Sequence, residues 1–306
     1  MKRAIVTGAT GMIASALIRK LIEEKVEVYA LCRPGDPQDD EFFKSPLVTA
    51  IEADIADFAS VPSKIDKKCD ALYHFAWLGT FGGTRNDTDV QTDNIRYTLD
   101  AVKLAAETGC ECFVGAGSQA EYGRTQEKLT ADTPVNPETG YGIAKYTSGK
   151  FSRLAAKQMG LRHCWVRILS VFGQKGNPNT IIMSSLDKML KGEYTSFTKG
   201  EQQWDFLHCD DVALAFYLIG EKGRDGAVYP LGSGQTRQLS DYILAMRDCI
   251  DPSLEVGIGD LPYNEGQVMY LCADISELTA DTGFTPQLSF EEGIRRTAAW
   301  MKGVQP

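Results

Sequence analysis

The 306-residue chain predicts an α/β fold: a doubly wound parallel sheet followed by a smaller C-terminal lobe. Three observations carry that expectation. Short β-rich runs alternate with helical patterns through the first half, a glycine-rich turn closes the first of those runs, and the strict alternation is lost beyond Gly173. Alternation of this kind implies parallel strands covered by helices on both faces. In order, strands are expected at residues 4–7, 26–32, 47–53, 71–76, 112–115 and 163–169, and helices at 12–24, 94–108 and 141–159. Residues 1–173 form the first domain on this reading. Residues 174–306 are mainly a second, substrate-binding lobe, with helices near 180–191 and 211–221 and a strand near 227–231 that rejoins the main sheet.

Composition excludes several function classes. The net charge is −9, from 32 basic and 41 acidic residues, which argues against a nucleic-acid or anionic-membrane partner, because phosphate neutralisation needs a basic face. The opening Met1-Lys2-Arg3 is a basic flank, but the apolar run after it stops at Thr7-Gly8. That is too short for a signal-peptide core or a membrane span. The eight cysteines show no Cys-x-x-Cys spacing and the three histidines no ligand spacing, so the expectation is a cytoplasmic protein with reduced core cysteines and no metal.

The first strand ends in Thr7-Gly8-Ala9-Thr10-Gly11-Met12-Ile13-Ala14, a glycine-rich turn opening directly into an amphipathic helix. Glycine lets the backbone turn sharply and approach a pyrophosphate, whose charge meets free N–H groups at the helix N-terminus. Gly8, Thr10, Gly11, Met12 and Ile13 are therefore candidate dinucleotide contacts, and the first domain is of Rossmann type. The end of the second strand, where an NAD site places an acid for the ribose hydroxyls, holds Cys32, followed by Arg33. A guanidinium suits a 2′-phosphate, so NADP(H) is favoured and NAD(H) is the alternative. Asp36 is the other group in range of the ribose, and it is expected to lie too far past the turn. Asp54 and Ile55, after the third strand, either hold the adenine or cap a helical turn. Phe75, Ala76 and Trp77 end the fourth strand, where ligands of open α/β sheets bind.

Tyr141-Gly142-Ile143-Ala144-Lys145 puts a phenol and an amine one helical turn apart on one face. A neighbouring ammonium favours the phenolate, so Tyr141 is expected to have a lowered pKa and to exchange a proton with a carbinol during hydride transfer.

Together these residues resemble the short-chain dehydrogenase/reductase superfamily, in its extended branch of sugar-nucleotide epimerases, dehydratases and ketoreductases, over nearly the whole chain. The resemblance implies that Ser118, in Gly117-Ser118-Gln119-Ala120-Glu121-Tyr122-Gly123, hydrogen-bonds the substrate oxygen and completes a catalytic set with Tyr141 and Lys145. It implies that Asn94 supports the cofactor region and that Ile168, Ser170, Val171 and Phe172 line cofactor and sugar, with Asn177 beyond them. Asp205-Phe206-Leu207-His208 resembles the family's phosphate-side motif. It also implies a homodimer packed through the helices at 94–108 and 141–159.

Two departures narrow the chemistry. Family 4,6-dehydratases carry Asp-Glu after the catalytic Ser/Thr, because water elimination needs an acid and a base; here the pair is Gln119-Ala120. Reduction, oxidation or C4 epimerisation at one carbon remains. The arginines that clamp the substrate pyrophosphate are replaced by Trp204 and Tyr263, leaving Arg237 or Lys199 to supply charge, or Trp204 to stack on a ring. The first expectation is an NADP(H)-dependent reductase of a 4-keto nucleotide sugar. The second is an NAD-dependent C4 epimerase, and a third, of another class, is a non-catalytic sensor or scaffold.

Overall fold

The computed structural model describes residues 1–303. Its first half runs β1 (Arg3–Thr7), α1 (Met12–Glu23), β2 (Glu27–Cys32), β3 (Val48–Glu52), β4 (Ala71–His74), α2 (Thr88–Glu107), β5 (Cys112–Ser118), α3 (Gly140–Gln158) and β6 (Arg162–Ile168). The second half runs β7 (Ser170–Phe172), α4 (Ile181–Leu190), β8 (Thr195–Phe197), β9 (Gln203–Trp204), β10 (Phe206–His208), α5 (Cys209–Lys222), β11 (Val228–Leu231), β12 (Arg237–Gln238), α6 (Leu239–Ile250), β13 (Val256–Ile258), α7 (Ser276–Thr282) and α8 (Phe290–Met301).

The core is a seven-stranded sheet in the order β3-β2-β1-β4-β5-β6-β11, with every pairing parallel. This is the doubly wound Rossmann arrangement, with its crevice where the strand order reverses at β1 and β4. Ala4, Ile5 and Val6 are wholly buried, as a strand covered on both faces requires. On one face, Leu17, Ile18 and Leu21 of α1 meet Val212, Phe216 and Ile219 of α5 in a single apolar cluster. On the other, Tyr97, Ala101, Val102 and Leu104 of α2 and Ala156 of α3 cover Ile5, Leu72 and Phe113.

Two differences from the sequence expectation have physical reasons. Helix α2 starts at Thr88, well before the expected residue 94, because the Asp87 carboxylate caps it by accepting the N–H groups of Asp89 and Val90 at 3.0 and 3.1 Å. Its first turns are polar and so carry no apolar period. Second, α5 as well as β11 belongs to the main sheet, since its apolar stripe continues that of α1. The second lobe is built from α4, α6, α8 and the short strands, around Leu186, Phe206, Tyr242, Ile243, Phe290 and Ile294. No helix among the described residues is long and apolar enough to cross a membrane, and all eight cysteines are free thiols.

Candidate active site

A cavity of about 900 Å³ lies between the carboxyl ends of the main-sheet strands and the second lobe. At its inner end, Gly8 has φ +67°, and a Cβ there would stand 3.0 Å from the Ala76 nitrogen. The β1–α1 turn is thus pressed against the end of β4, where the Thr7 hydroxyl also accepts the N–H groups of Phe75 and Ala76 at 3.1 Å each. Gly11 is the N-cap of α1 and offers no side-chain cap, and Gly8, Gly11, Met12 and Ile13 line the cavity. Uncapped N–H groups at the mouth of a 12-residue helix are a built anion site, so this cradle fits a dinucleotide pyrophosphate.

Around the cradle the candidate residues separate. Phe75 and Trp77 line the cavity, whereas Ala76 packs behind Gly8. Thr10 donates to Asp36 at 2.9 Å, and Arg33, two-thirds exposed, pairs with the same carboxylate at 2.8 Å. Asp36 therefore reaches the glycine-rich turn, closer than its distance in sequence implies. Asp54 accepts the Ala56 N–H as the cap of a short 3₁₀ segment and Ile55 is buried in the core beneath it; neither lines the cavity. Asn94 is fully buried, with its amide spent on both backbone groups of Leu78 at 2.8 and 2.9 Å, so it staples the loop after β4.

Ser118, Tyr141 and Lys145 meet in the middle of the cavity wall. Helix α3 starts at the Thr139 cap, whose hydroxyl accepts from Gly142 at 3.1 Å. A Cβ at Gly142 would fall 2.4 Å from the Ala120 carbonyl oxygen, so glycine lets α3 press its first turn, and with it Tyr141, onto the turn that carries Ser118. Lys145 donates to the Ala116 carbonyl at 2.7 Å and its ammonium stands 3.6 Å from the centre of the Trp77 ring. Burial lowers the Lys145 pKa from 10.5 to about 7.

Tyr141 departs from expectation. Its pKa is raised, because burial outweighs the Ser118 hydroxyl and the Arg85 guanidinium, both of which favour the phenolate. Lys145 is not among the groups that set this balance, and burial brings its own pKa down to about 7, so that its charge is only partial at neutrality. Arg85 takes over part of its expected role from 4.3 Å above the Tyr141 ring. The phenol is the form present at neutral pH, suited to giving a proton.

At the outer end Ile168, Ser170, Val171, Gln119 and Trp204 line the cavity, and the Trp204 indole is held by a 2.9 Å bond to the Ser170 hydroxyl. Ala120 is engaged through its N–H with Ser118, outside the lining. Phe172 turns away into the lobe core against Phe206 and Phe290. Asn177 accepts the Asn179 N–H in a turn, and Arg237 is paired with Glu291 at 2.8 Å over the Tyr242 ring; neither lines the cavity. Tyr263 bonds Glu201. Asp205, in the segment expected on the phosphate side, is buried and accepts the N–H groups of Ser233, Gly234 and Ala273, a structural task.

The structure adds residues that sequence reasoning missed. Thr180, the N-cap of α4, and Ser184 and Lys188 within the helix sit four apart along one side and line the cavity, away from buried Met183, Leu186 and Met189. That polar stripe was the available signal. Gln202 is buried, lines the cavity, and its side-chain oxygen has no partner; the oxygen of Gln119 is likewise unpaired. No carboxylate is among the lining residues, while two lysines, Lys145 and Lys188, are. Elsewhere, His208, Cys209 and Asp210 bring potential metal-ligand atoms within 4.8 Å of one another, but Asp210 is already paired with Arg296.

An anion cradle at a switch point, opening on a tyrosine and a lysine one helical turn apart, defines a nicotinamide-dependent enzyme of the extended short-chain dehydrogenase/reductase class. Residues 4–232 match the profile of the NAD dependent epimerase/dehydratase family, and the chain belongs to that family. The putative UDP-glucose 4-epimerase of Methanocaldococcus jannaschii is 26% identical over 97% of this chain and 98% of its own length. Two solved structures share the fold. UDP-N-acetylglucosamine 4-epimerase from Methanobrevibacter ruminantium superposes with a TM-score of 0.87 at 23% identity, covering 99% of this chain and 98% of that one. RMD from Pseudomonas aeruginosa, complexed with NADPH, has a TM-score of 0.83 at 20% identity, covering 99% and 100%. Membership of a family of enzymes displaces the sensor or scaffold reading.

Proposed function

We propose that this enzyme reduces the 4-keto group of a nucleotide-activated sugar with NADPH. The observation that carries the reading is Tyr141, a buried phenol on the cavity wall beside Ser118, with Gln119-Ala120 where elimination would need acids. When bound, the reduced nicotinamide supplies a hydride to the carbonyl carbon. Ser118 donates a hydrogen bond to the carbonyl oxygen, and Tyr141 delivers its proton to that oxygen as negative charge develops. Arg85, over the Tyr141 ring, stabilises the phenolate left behind. Lys145 holds the Ala116 carbonyl and buttresses Trp77.

The cofactor preference rests on Arg33. Its exposed guanidinium can exchange Asp36 for a 2′-phosphate, and the related fold of RMD accommodates NADPH. Arg33→Ala is expected to weaken NADPH binding by about ten-fold or more and to leave NADH binding unchanged. Fluorescence titration of both cofactors checks it. Tighter binding of NADH than NADPH by the wild type, lost in Asp36→Ala, would overturn the preference. It would favour the second reading, a C4 epimerase, which the names of two relatives and the reach of Asp36 support.

The substrate's diphosphate is assigned to the second-lobe side of the cavity, where Lys188 of α4 supplies a cation. Lys188→Ala should raise KM for the nucleotide sugar by about ten-fold with little change in kcat, the signature of lost uniform binding. Steady-state kinetics with a panel of nucleotide sugars and their 4-keto forms provide the measurement. The same reading extends to a homodimer through α2 and α3; the outward side of α3 exposes Ile143, Phe151 and Leu154.

A further inference from the structure

Directly behind Ser118 lies a buried ion pair that the reaction as described does not use. Glu121 is 0% exposed. One carboxylate oxygen accepts the Ser118 N–H at 2.8 Å and the Trp165 indole N–H at 2.9 Å; the other accepts Arg167 Nε at 2.7 Å. In return, the Ser118 hydroxyl accepts the Ala120 N–H at 3.2 Å, so the turn is tied at both ends. The Trp165 ring is wedged in a slot made by three glycines, since a Cβ at Gly115, Gly117 or Gly149 would come within 2.3, 2.4 or 2.8 Å of it. The Arg167 guanidinium is stacked 4.5 Å over the Tyr122 ring. Two of the three partners of the carboxylate, Trp165 and Arg167, are thus packed closely in place.

A fully buried ion pair is a costly way to fill space, because desolvating two charges offsets most of their attraction, and apolar residues of similar volume commonly serve stability as well or better. Packing alone gives no reason for an acid here. We propose that Glu121, neutralised from behind by Arg167, is a positioning residue for the reaction: it fixes the Ser118 backbone and so the place where the Ser118 hydroxyl meets the substrate oxygen. The inference rests on the reading that Ser118 and Tyr141 do the chemistry.

Electrostatics points the same way. The Glu121 charge favours the protonated forms of both Tyr141 and Lys145. The other groups facing Tyr141 are Arg85 from the turn after β4, the Ser118 hydroxyl and Lys145 on its own helix, all of which favour the phenolate or stand near it. Lys145 faces Glu121 and His74, which burial keeps neutral with a pKa of about 3. Burial is the main reason the phenol keeps its proton, and Glu121 adds to it in the same direction.

The test compares Glu121→Gln and Glu121→Gln/Arg167→Gln with Ser118→Ala and Tyr141→Phe. The single variant leaves Arg167 as an unpaired buried cation, which endangers the fold, and the double removes both charges. The double variant is expected to fold and to bind NADPH as the wild type does. Its kcat should fall by about 10–100-fold with KM changed less than about three-fold. In Glu121→Gln, which loses the carboxylate and keeps Arg167, the alkaline limb of the pH–kcat profile should move to lower pH, a shift that a purely structural role would not produce. A folded double variant with wild-type kcat overturns the proposal, as does an unmoved alkaline limb in folded Glu121→Gln. Loss of the fold in the double variant also overturns it, since the pair would then be structural. If Ser118→Ala and Tyr141→Phe leave turnover intact, the reading of the site falls and this inference with it. If they abolish turnover while the double variant does not, the role of Glu121 alone falls.

Discussion

Tyr141→Phe is expected to lower kcat by about three orders of magnitude, the middle of the range for losing a positioned proton donor, while NADPH affinity stays at the wild-type level. The phenylalanine ring keeps what the tyrosine ring does for the fold. It meets Trp77 edge-on at 5.9 Å, lies 4.3 Å beneath Arg85, and fills the same buried volume. Only the oxygen beside Ser118 is lost. That oxygen is desolvated, so its removal costs the fold little and the loss appears in the chemical step. Single-turnover reduction measured beside a cofactor titration separates the two quantities, and near-normal turnover would remove Tyr141 from its assigned role.

Lys145→Met should have an opposite pair of effects: turnover reduced by about 100-fold, and greater stability near neutral pH. Burial lowers the Lys145 pKa from 10.5 to about 7 in the native protein. Between those values the unfolded chain binds a proton that the native chain does not, so the wild type gains stability as pH rises through that window. Below about pH 7 both states carry the proton and the full cost of burying it is present. Methionine fills the space without a charge, at the loss of the Ala116 bond and the contact with Trp77. Thermal melts without cofactor should therefore show the variant ahead of the wild type by most at pH 6, with the gap closing toward pH 10. A gap that does not change with pH would show that Lys145 is charged in the native state throughout. Function here retains a buried amine that stability alone would discard.

How much of this was legible in the sequence follows the distance over which each feature is made. The glycine-rich turn and the Tyr141–Lys145 spacing are local, set by one turn and one helix, and both open on the cavity as their patterns imply. The parallel sheet followed from alternation, and β11 from a short β-rich run. Features made by distant partners did not show. Arg237 looked available as a phosphate ligand, but Glu291, 54 residues on, holds it away from the cavity. Arg33 carried a cofactor preference on sequence position alone, whereas Asp36 ties it to Thr10. The sign of the Tyr141 shift was missed because spacing shows that an ammonium is near, and not that burial of the phenol itself outweighs the groups that favour the phenolate. Lys188 showed only as part of a polar stripe on α4 and Gln202 belongs to no local motif; the fold of the second lobe brings them to the same wall.

The return of β11 and α5 to the main sheet makes the two lobes inseparable as folding units. A chain cut at residue 173 would leave β6 as an unpaired edge, with its hydrogen-bonding groups open to any other strand. It would also strip from α1 the apolar face of α5. The first domain, complete as a sequence motif, is incomplete as a packed object. The cavity lies on that seam, so the substrate end cannot work loose without disturbing the sheet that holds the cofactor cradle.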